Sequence, residues 1–256
     1  MTNQYSMNME HKAFNEDEIP YVELAQFGLY REMIEDLPMA AFEAIQDGRL
    51  SPVLPIQVKD ENGDTIRSRT RFKLSRQDDG KVDILFYPQL KRCDLSLYSE
   101  AAQEALLKGS AIVGLSPDDG VSKCFVQIDT ETNHVMYVPT PVIGRNLRTL
   151  MDSFGMSSQD ILRIQGGEPV TFNEGDEQIT AGIDLNDRTG IRIEVGDERK
   201  WRMNQDAALD KFNFGLWGCW VMDERGGLSY IYEEDYTDEI LAEQQKVIER
   251  NSGIRR

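Results

Sequence analysis

Three extended segments separated by two tight turns make up residues 52–87, which read PVLPIQVKDENGDTIRSRTRFKLSRQDDGKVDILFY. The predicted strands cover residues 52–58, 65–76 and 82–87. Asp60–Asp64 and Asp78–Gly80 supply the Asp, Asn and Gly residues that hairpin turns favour. Connections this short join antiparallel neighbours. The stretch therefore predicts a three-stranded antiparallel meander.

A helix precedes this meander, and the same order of a helix followed by three strands occurs twice more along the chain. Gly48, Gly109 and Gly167 end the three predicted helices at nearly equal intervals. Ile128-Asp129 before one turn is echoed by Ile183-Asp184 before another. The pattern predicts an α+β fold of repeated helix-plus-antiparallel-meander modules, completed by a C-terminal β-hairpin and a terminal helix.

We predict five segments: a flexible tail over residues 1–18, helix-plus-meander modules over 19–92, 93–144 and 145–200, and an aromatic hairpin with an acidic C-terminal helix over 201–256. Helices are expected from Arg145 to Ile164. In the last segment, residues 212–222 are predicted to form one buried strand. The aromatic residues from Trp201 to Trp220 indicate core packing beneath this hairpin, with an aromatic binding surface as the alternative.

The chain is strongly acidic, with 28 Lys and Arg against 45 Asp and Glu and a net charge of −17. Such a charge repels phosphate backbones and anionic lipids, so the overall balance disfavours direct nucleic-acid or membrane binding. The content of 40% hydrophobic residues is sufficient for a packed core.

We expect a cytoplasmic protein. The N-terminal residues are polar, and no apolar run approaches the roughly 18 residues of a membrane span. Cys93, Cys124 and Cys219 lack the paired spacing of zinc or redox sites and are read as reduced thiols.

A basic row lies on the second predicted strand. Arg67, Arg69, Arg71 and Lys73 occupy alternate positions and therefore project from one face. Four adjacent cations repel one another unless an anionic group lies across them. The row is either a docking surface for phosphate or an acidic partner, or a set of cross-strand pairs with the chain's own carboxylates.

A candidate acidic surface lies near the C-terminus. It consists of Glu233, Glu234, Asp235, Asp238 and Glu239. Acidic runs of this kind usually form a solvated face, and the alternatives are imitation of the phosphate spacing of DNA and cation binding, although no calcium-loop pattern is present.

The common catalytic templates do not occur in the sequence. Asp78-Asp79-Gly80 and Asp118-Asp119-Gly120 are typical turn sequences. The chain has two His and no phosphate-binding loop motif. We therefore expect no enzymatic activity, no catalytic residues, no metal site and no cofactor. A carboxylate-only enzyme stays open, because acid pairs are recognised by geometry.

Several phrases resemble a known group of sequences: Glu35–Pro38, Ser51–Ile56, Ser68–Phe72, Phe125–Thr132, Tyr137–Leu147 and Gly182–Asp187. They resemble an uncharacterised family of proteins carried on conjugative transposons of gut Bacteroidetes, over about Ile19 to Tyr236. The resemblance implies an intracellular accessory protein of a mobile element that works beside transfer or DNA-processing proteins. It identifies no reaction and no catalytic residue.

These observations predict a non-enzymatic interaction protein of a mobile genetic element, with another protein as its partner. Strand edges and the basic row are the expected contact surfaces. Two alternatives remain. One is an acidic DNA mimic that inhibits enzymes such as restriction enzymes, and the other is a protein that docks nucleic acid on the strand at residues 67–73.

Overall fold

The computed structural model describes residues 13–187, 189–203, 209–224 and 226–253. Its strands form four antiparallel sheets of three strands each. Along the chain, helices precede the first sheet, separate the sheets from one another and follow the last one. The α+β fold and the C-terminal helix predicted from the sequence are confirmed.

The helices are, in chain order, α1 (Tyr21–Ala25), α2 (Arg31–Glu35), α3 (Met39–Gln46), α4 (Glu100–Leu107), α5 (Thr140–Phe154), α6 (Ser158–Gln165), α7 (Glu198–Met203) and α8 (Asp238–Gly253), with short 3₁₀ helices at Glu16–Glu18 and Glu233–Asp235. The strands are β1 (Leu54–Lys59), β2 (Thr65–Arg76), β3 (Val82–Pro88), β4 (Ile112–Leu115), β5 (Lys123–Asp129), β6 (His134–Pro139), β7 (Val170–Glu174), β8 (Glu177–Ile183), β9 (Ile191–Val195), β10 (Phe212–Phe214), β11 (Gly218–Met222) and β12 (Leu228–Tyr232). Within each sheet the strands follow one another in sequence order.

Helices α3, α4 and α6 end in the same way, each before a meander. Gly48, Gly109 and Gly167 have φ angles of 72°, 75° and 90°. The amide of each glycine donates to the carbonyl three residues earlier, and the next amide donates to the carbonyl five residues before it. This is the Schellman motif, which favours glycine because its backbone conformation is left-handed. The recurrence supports the repeated helix-plus-meander pattern.

Contacts divide the chain into two units, and the first combines residues 1–88 with residues 207–256. Its core is built from segments far apart in sequence. Ile34, Ile45 and Phe72 pack with Trp220 and Leu228 of the C-terminal segment. Burying each large apolar side chain contributes about 1.5–3 kcal/mol, so both parts of the chain stabilise this core.

The second unit covers residues 89–206 and contains sheets β4-β5-β6 and β7-β8-β9. Strand β5 is buried on both faces: Phe125 packs with Ile143 of α5, and Val126 packs with Leu106 of α4. The buried side chain of Gln127 donates to the Gly109 carbonyl at 2.8 Å and accepts from the Leu185 amide at 2.6 Å. These two bonds satisfy a buried amide and link β5 to the segment that follows β8.

The predicted tail over residues 1–18 is wrong for its last six residues. Phe14 is buried in the first core, and its amide donates to the Gln46 carbonyl. Glu18 pairs with Arg76 at 2.8 Å. Residues 1–12 lie outside the described part of the chain, and the prediction of a flexible tail stands there as a prediction.

The prediction of one buried strand over residues 212–222 is also wrong. Strands β10 and β11 pair as a hairpin, in which Phe214 lies opposite Cys219. The Gly215 amide donates to the Gly218 carbonyl at 2.8 Å and closes the turn. The C-terminal hairpin of β11 and β12 therefore carries a third strand, β10.

The predicted start of a helix at Arg145 is also wrong. Helix α5 begins at Thr140 instead of Arg145, because Pro141 falls in the first turn, where no amide is needed for the helix.

Trp201 and Trp220 do not form one cluster. Trp201 belongs to the second unit, where it covers Gly182, while Trp220 is in the core of the first unit.

Candidate interaction surfaces

The basic row lies on β2, on the face opposite the core residues Phe72 and Leu74. The alternation of the strand places Arg67, Arg69, Arg71 and Lys73 on this one face. Their surroundings differ, however: Arg67 is exposed, Arg69 and Lys73 are half-buried, and Arg71 is buried.

The other three cations of the row have partners within the first unit. Arg69 lies 3.5 Å from Asp223, in the turn between β11 and β12. Arg71 is only 9% exposed, and its Nε donates to the Ser51 carbonyl at 2.6 Å. The Lys73 ammonium lies 5.8 Å from the centre of the Tyr87 ring. Pairing with a carboxylate of the chain itself, one of the two readings of the row, therefore occurs at Arg69.

The five residues of the acidic surface are all exposed. Glu233, Glu234 and Asp235 form a 3₁₀ helix, and Asp238 and Glu239 begin α8. Carboxylates at the start of a helix interact favourably with its dipole. Glu239 also pairs with Lys211 at 2.9 Å, so part of this surface has a structural role.

Asp36 is a functional candidate that the sequence analysis missed. It is 5% exposed, and its carboxylate accepts hydrogen bonds from the Leu216 amide at 2.6 Å, the Trp217 amide at 3.0 Å and the Tyr230 hydroxyl at 2.5 Å. The one local signal is its position at the end of α2, where a negative charge opposes the helix dipole. Asp36 fixes the turn between β10 and β11 from a distance of 180 residues in the chain.

Two apolar side chains are exposed at the turn that Asp36 fixes. Leu216 is 75% exposed and Trp217 is 42% exposed. The Trp217 carbonyl accepts from the Glu233 amide at 3.1 Å, which joins this turn to the 3₁₀ helix of the acidic surface. Because this apolar pair is adjacent, open to solvent and held in place, the turn is a candidate binding surface.

Tyr232 connects the same turn to the start of α2. Partial burial raises the pKa of Tyr232, and the neighbouring Glu32, Tyr30 and Glu234 raise it further. Its ring lies 5.0 Å from the ring of Tyr230, which is bound to Asp36. We call the following group the aromatic–acidic surface: Tyr30, Glu32, Leu216, Trp217, Tyr232, Glu233, Glu234 and Asp235.

The predicted turn carboxylates serve as turn residues. Asp119 accepts from the Val121 amide, the Ser122 amide and the Ser122 hydroxyl, and these bonds lower the pKa of Asp119 to about 2. Asp118 accepts from the Tyr137 hydroxyl at 2.6 Å, and Asp79 accepts from the Lys81 amide at 3.0 Å. These carboxylates have local partners that account for their positions.

The second unit contains a buried ion pair at the turn between β8 and β9. Arg192 lies 3.6 Å from Asp184 and stacks 4.2 Å from the ring centre of Trp201. Burial raises the pKa of Asp184, and the Arg192 charge opposes this effect. The Trp201 indole donates to the Arg192 carbonyl at 3.0 Å, so the group acts as a structural cluster.

The part of the chain that the structure describes holds no group of three or more His, Cys, Asp and Glu side chains that could bind a metal ion. None of the helices described is long and apolar enough to cross a membrane.

Comparisons with known proteins place one part of the chain. Residues 14–97 match a family described as "Protein of unknown function (DUF4099)". No curated protein and no solved structure matches the chain. The N-terminal part therefore resembles an uncharacterised domain family, and the matched range ends before the C-terminal segment that completes the first unit.

Proposed function

We propose that the chain is a non-enzymatic accessory protein that acts by binding another protein. The observation that carries this proposal is the exposed pair Leu216 and Trp217, whose backbone is fixed by the buried carboxylate of Asp36. Exposed aromatic side chains on a rigid backbone are frequent hot spots of protein interfaces, because little freedom is lost when they are covered.

We further propose that the partner belongs to the transfer or DNA-processing machinery of a mobile genetic element, and that both proteins act in the cytoplasm. The support is the resemblance of phrases such as Glu35–Pro38 to proteins of conjugative transposons. The first of these phrases contains Asp36, the residue that fixes the exposed turn.

Affinity capture from the native host, read out by mass spectrometry, tests both parts of the proposal. The tagged chain is compared with the Trp217→Ala variant and with a matched control, Ile248→Ala, which removes a side chain that is 53% exposed on α8. We expect one set of proteins to be retained by the wild type and the control and lost by Trp217→Ala. Identical captured sets for all three proteins would contradict the proposed surface.

Docking of nucleic acid is the second candidate function. It is favoured by Arg67 and Lys59, which are exposed on neighbouring strands of one sheet. Charge reversal by Arg67→Glu should reduce binding of duplex DNA and lower its salt dependence by about one unit of slope. Lys81→Glu, in the turn between β2 and β3, is the control. Absence of binding at low salt would end this candidate.

Imitation of DNA is the third candidate, and the exposed carboxylates from Glu233 to Glu239 are the observation in its favour. A mimic needs carboxylates at phosphate spacing along paired rows. The bond of Glu239 to Lys211 weakens such a row. A mimic should compete with DNA for a restriction enzyme, and failure to displace DNA at excess protein would exclude this function.

A further inference from the structure

We propose that the aromatic–acidic surface binds a partner segment rich in Lys and Arg. This inference rests on the proposed function and adds the chemistry of the partner. Three properties of the surface favour such a partner: the exposed aromatic rings, the carboxylates beside them, and the contacts that hold both in place.

The rings provide apolar contact and sites for cations. Trp217 and Tyr30 are both partly open to solvent, and Tyr232 is the last residue of β12, next to the 3₁₀ helix Glu233–Asp235. Arg and Lys side chains stack on Trp and Tyr with a gain that grows when the site loses water. Leu216 supplies an apolar contact for the stem of such a side chain.

The carboxylates supply a concentrated negative charge next to the rings. Glu233, Glu234 and Asp235 are consecutive and exposed, and in the part of the chain that the structure describes they form no ion pair. Glu32 of α2 adds a further negative charge, which raises the pKa of Tyr232. Since like charges so close repel one another, a cationic ligand would relieve this repulsion as well as form new pairs.

Helix α2 holds both components in a fixed arrangement. Asp36 accepts a hydrogen bond from the Tyr230 hydroxyl, and Glu32, one helical turn before Asp36, is near enough to Tyr232, two residues after Tyr230 on β12, to raise its pKa. Asp36 also fixes the backbone of Leu216 and Trp217. Binding therefore has to order few side chains, which favours a specific site over a diffuse attraction.

The same charge distribution selects among partners. Phosphate backbones and anionic lipids would be repelled by three consecutive carboxylates and by the net charge of −17. A basic protein segment is attracted by both. The long Arg and Lys side chains also match a surface that combines aromatic rings with carboxylates.

Fluorescence anisotropy with the full chain tests the inference directly. The probe is a short labelled peptide in which Arg alternates with Ser, and a peptide with Glu in place of Arg is the control ligand. We expect the Arg peptide to bind, with an affinity that falls as salt is raised, and the Glu peptide to show no binding.

Variants of the chain distinguish this site from general attraction to an acidic protein. The double variant Glu233→Gln/Glu234→Gln should weaken binding of the Arg peptide about threefold to tenfold, and Trp217→Ala should weaken it at least about tenfold. The controls Glu61→Gln, in the turn between β1 and β2, and Ile248→Ala should bind as the wild type does. Equal thermal unfolding of all variants shows that each is folded.

Three outcomes separate the inference from the function on which it rests. Loss of binding in the site variants alone supports the basic partner. The inference is overturned if the site variants and the control variants bind the Arg peptide with equal affinity, or if the wild type does not bind this peptide. If the host capture still depends on Trp217 in the latter case, the proposed function stands and only the chemistry of the partner is wrong.

Discussion

Asp36 joins two segments of the first unit through a single carboxylate. Its three donors, two backbone amides and one phenol, come from the C-terminal segment, and the indole of Trp220 adds a bond to the Met33 carbonyl at 2.8 Å. Buried donors that lose their acceptor cost more than the hydrogen bond itself contributes, because water cannot replace it. Asp36 is therefore important both for stability and for the exposed turn.

Replacing Asp36 by Ala should lower the free energy of unfolding of the first unit by about 2–4 kcal/mol, because three buried or half-buried donors lose their acceptor. Urea unfolding followed by tryptophan fluorescence measures this change. Asp235→Ala, an exposed carboxylate of the same unit, is the matched control and should change stability by less than about 0.5 kcal/mol. Similar midpoints for the two variants would contradict the role of Asp36.

The tyrosines beside Asp36 predict a loss of stability in alkali. Burial raises the pKa of Tyr230, and the hydrogen bond to Asp36 raises it further, while burial raises the pKa of Tyr236 to about 12. The fold holds these phenols neutral, so their contribution is complete below the unfolded pKa of about 10 and falls as the pH rises above it; the part from Tyr236 is lost as the pH passes through about 12. Unfolding by urea across this range measures the slope, and Tyr230→Phe should reduce it.

Single residues were the least predictable level of the structure. The alternation of β2 placed Arg67, Arg69, Arg71 and Lys73 on one face, but the burial of Arg71 against Ser51 depends on a loop that the strand pattern does not describe. The role of Asp36 was even harder to predict, since its hydrogen-bond partners come from the C-terminal segment of the chain. Local patterns report the direction of a side chain, and contacts between distant segments decide its surroundings.

Helix ends and tight turns were predictable at the level of elements because their residues determine them locally. Each of Gly48, Gly109 and Gly167 ends its helix where the sequence indicates. Strand β10 was missed because the turn between β10 and β11 is held by Asp36, which is distant in the sequence, and the glycines at 215 and 218 alone do not distinguish a turn from a strand. The run of aromatic residues around it is therefore equally compatible with one continuous strand.

The glycine at the end of α6 allows the contribution of a helix end to stability to be measured. Gly167 has a φ of 90°, and a Cβ atom there would lie 2.6 Å from the Ala111 carbonyl. Gly167→Ala should therefore destabilise the chain by about 3 kcal/mol, whereas Gly120→Ala, with a φ of 64° and free space, should cost about 1–2 kcal/mol. Thermal unfolding compares the two, and equal costs would show that the packing at Ala111 has little effect.

The chain divides into two units, and the first of them contains two segments that are far apart in the sequence. The first unit combines residues 1–88 with residues 207–256, although the family match ends at residue 97. Composition and strand pattern predicted the class of fold, but the pairing of the two ends of the chain depends on Trp220, Leu228 and their distant neighbours. Such long-range packing leaves no periodic signal in a single sequence.

Removal of the chain after Met203 should unfold the first unit and spare the second. The truncated first unit would lack Trp220 and Leu228, and its core would be exposed to water. Hydrogen exchange should show lost protection in α2 and β2 and retained protection in β5 and β8. Protection of β2 at the level of the full chain would mean that the first unit folds without its C-terminal segment.

Site-specific photo-crosslinking in the native host tests whether the exposed turn between β10 and β11 binds another protein. A photoreactive phenylalanine analogue replaces Leu216, and the control carries it at Ile248, on α8 of the same unit. We expect a discrete crosslinked protein from Leu216 and none of that mass from Ile248. The same crosslinks from both positions, or none from Leu216, would contradict it.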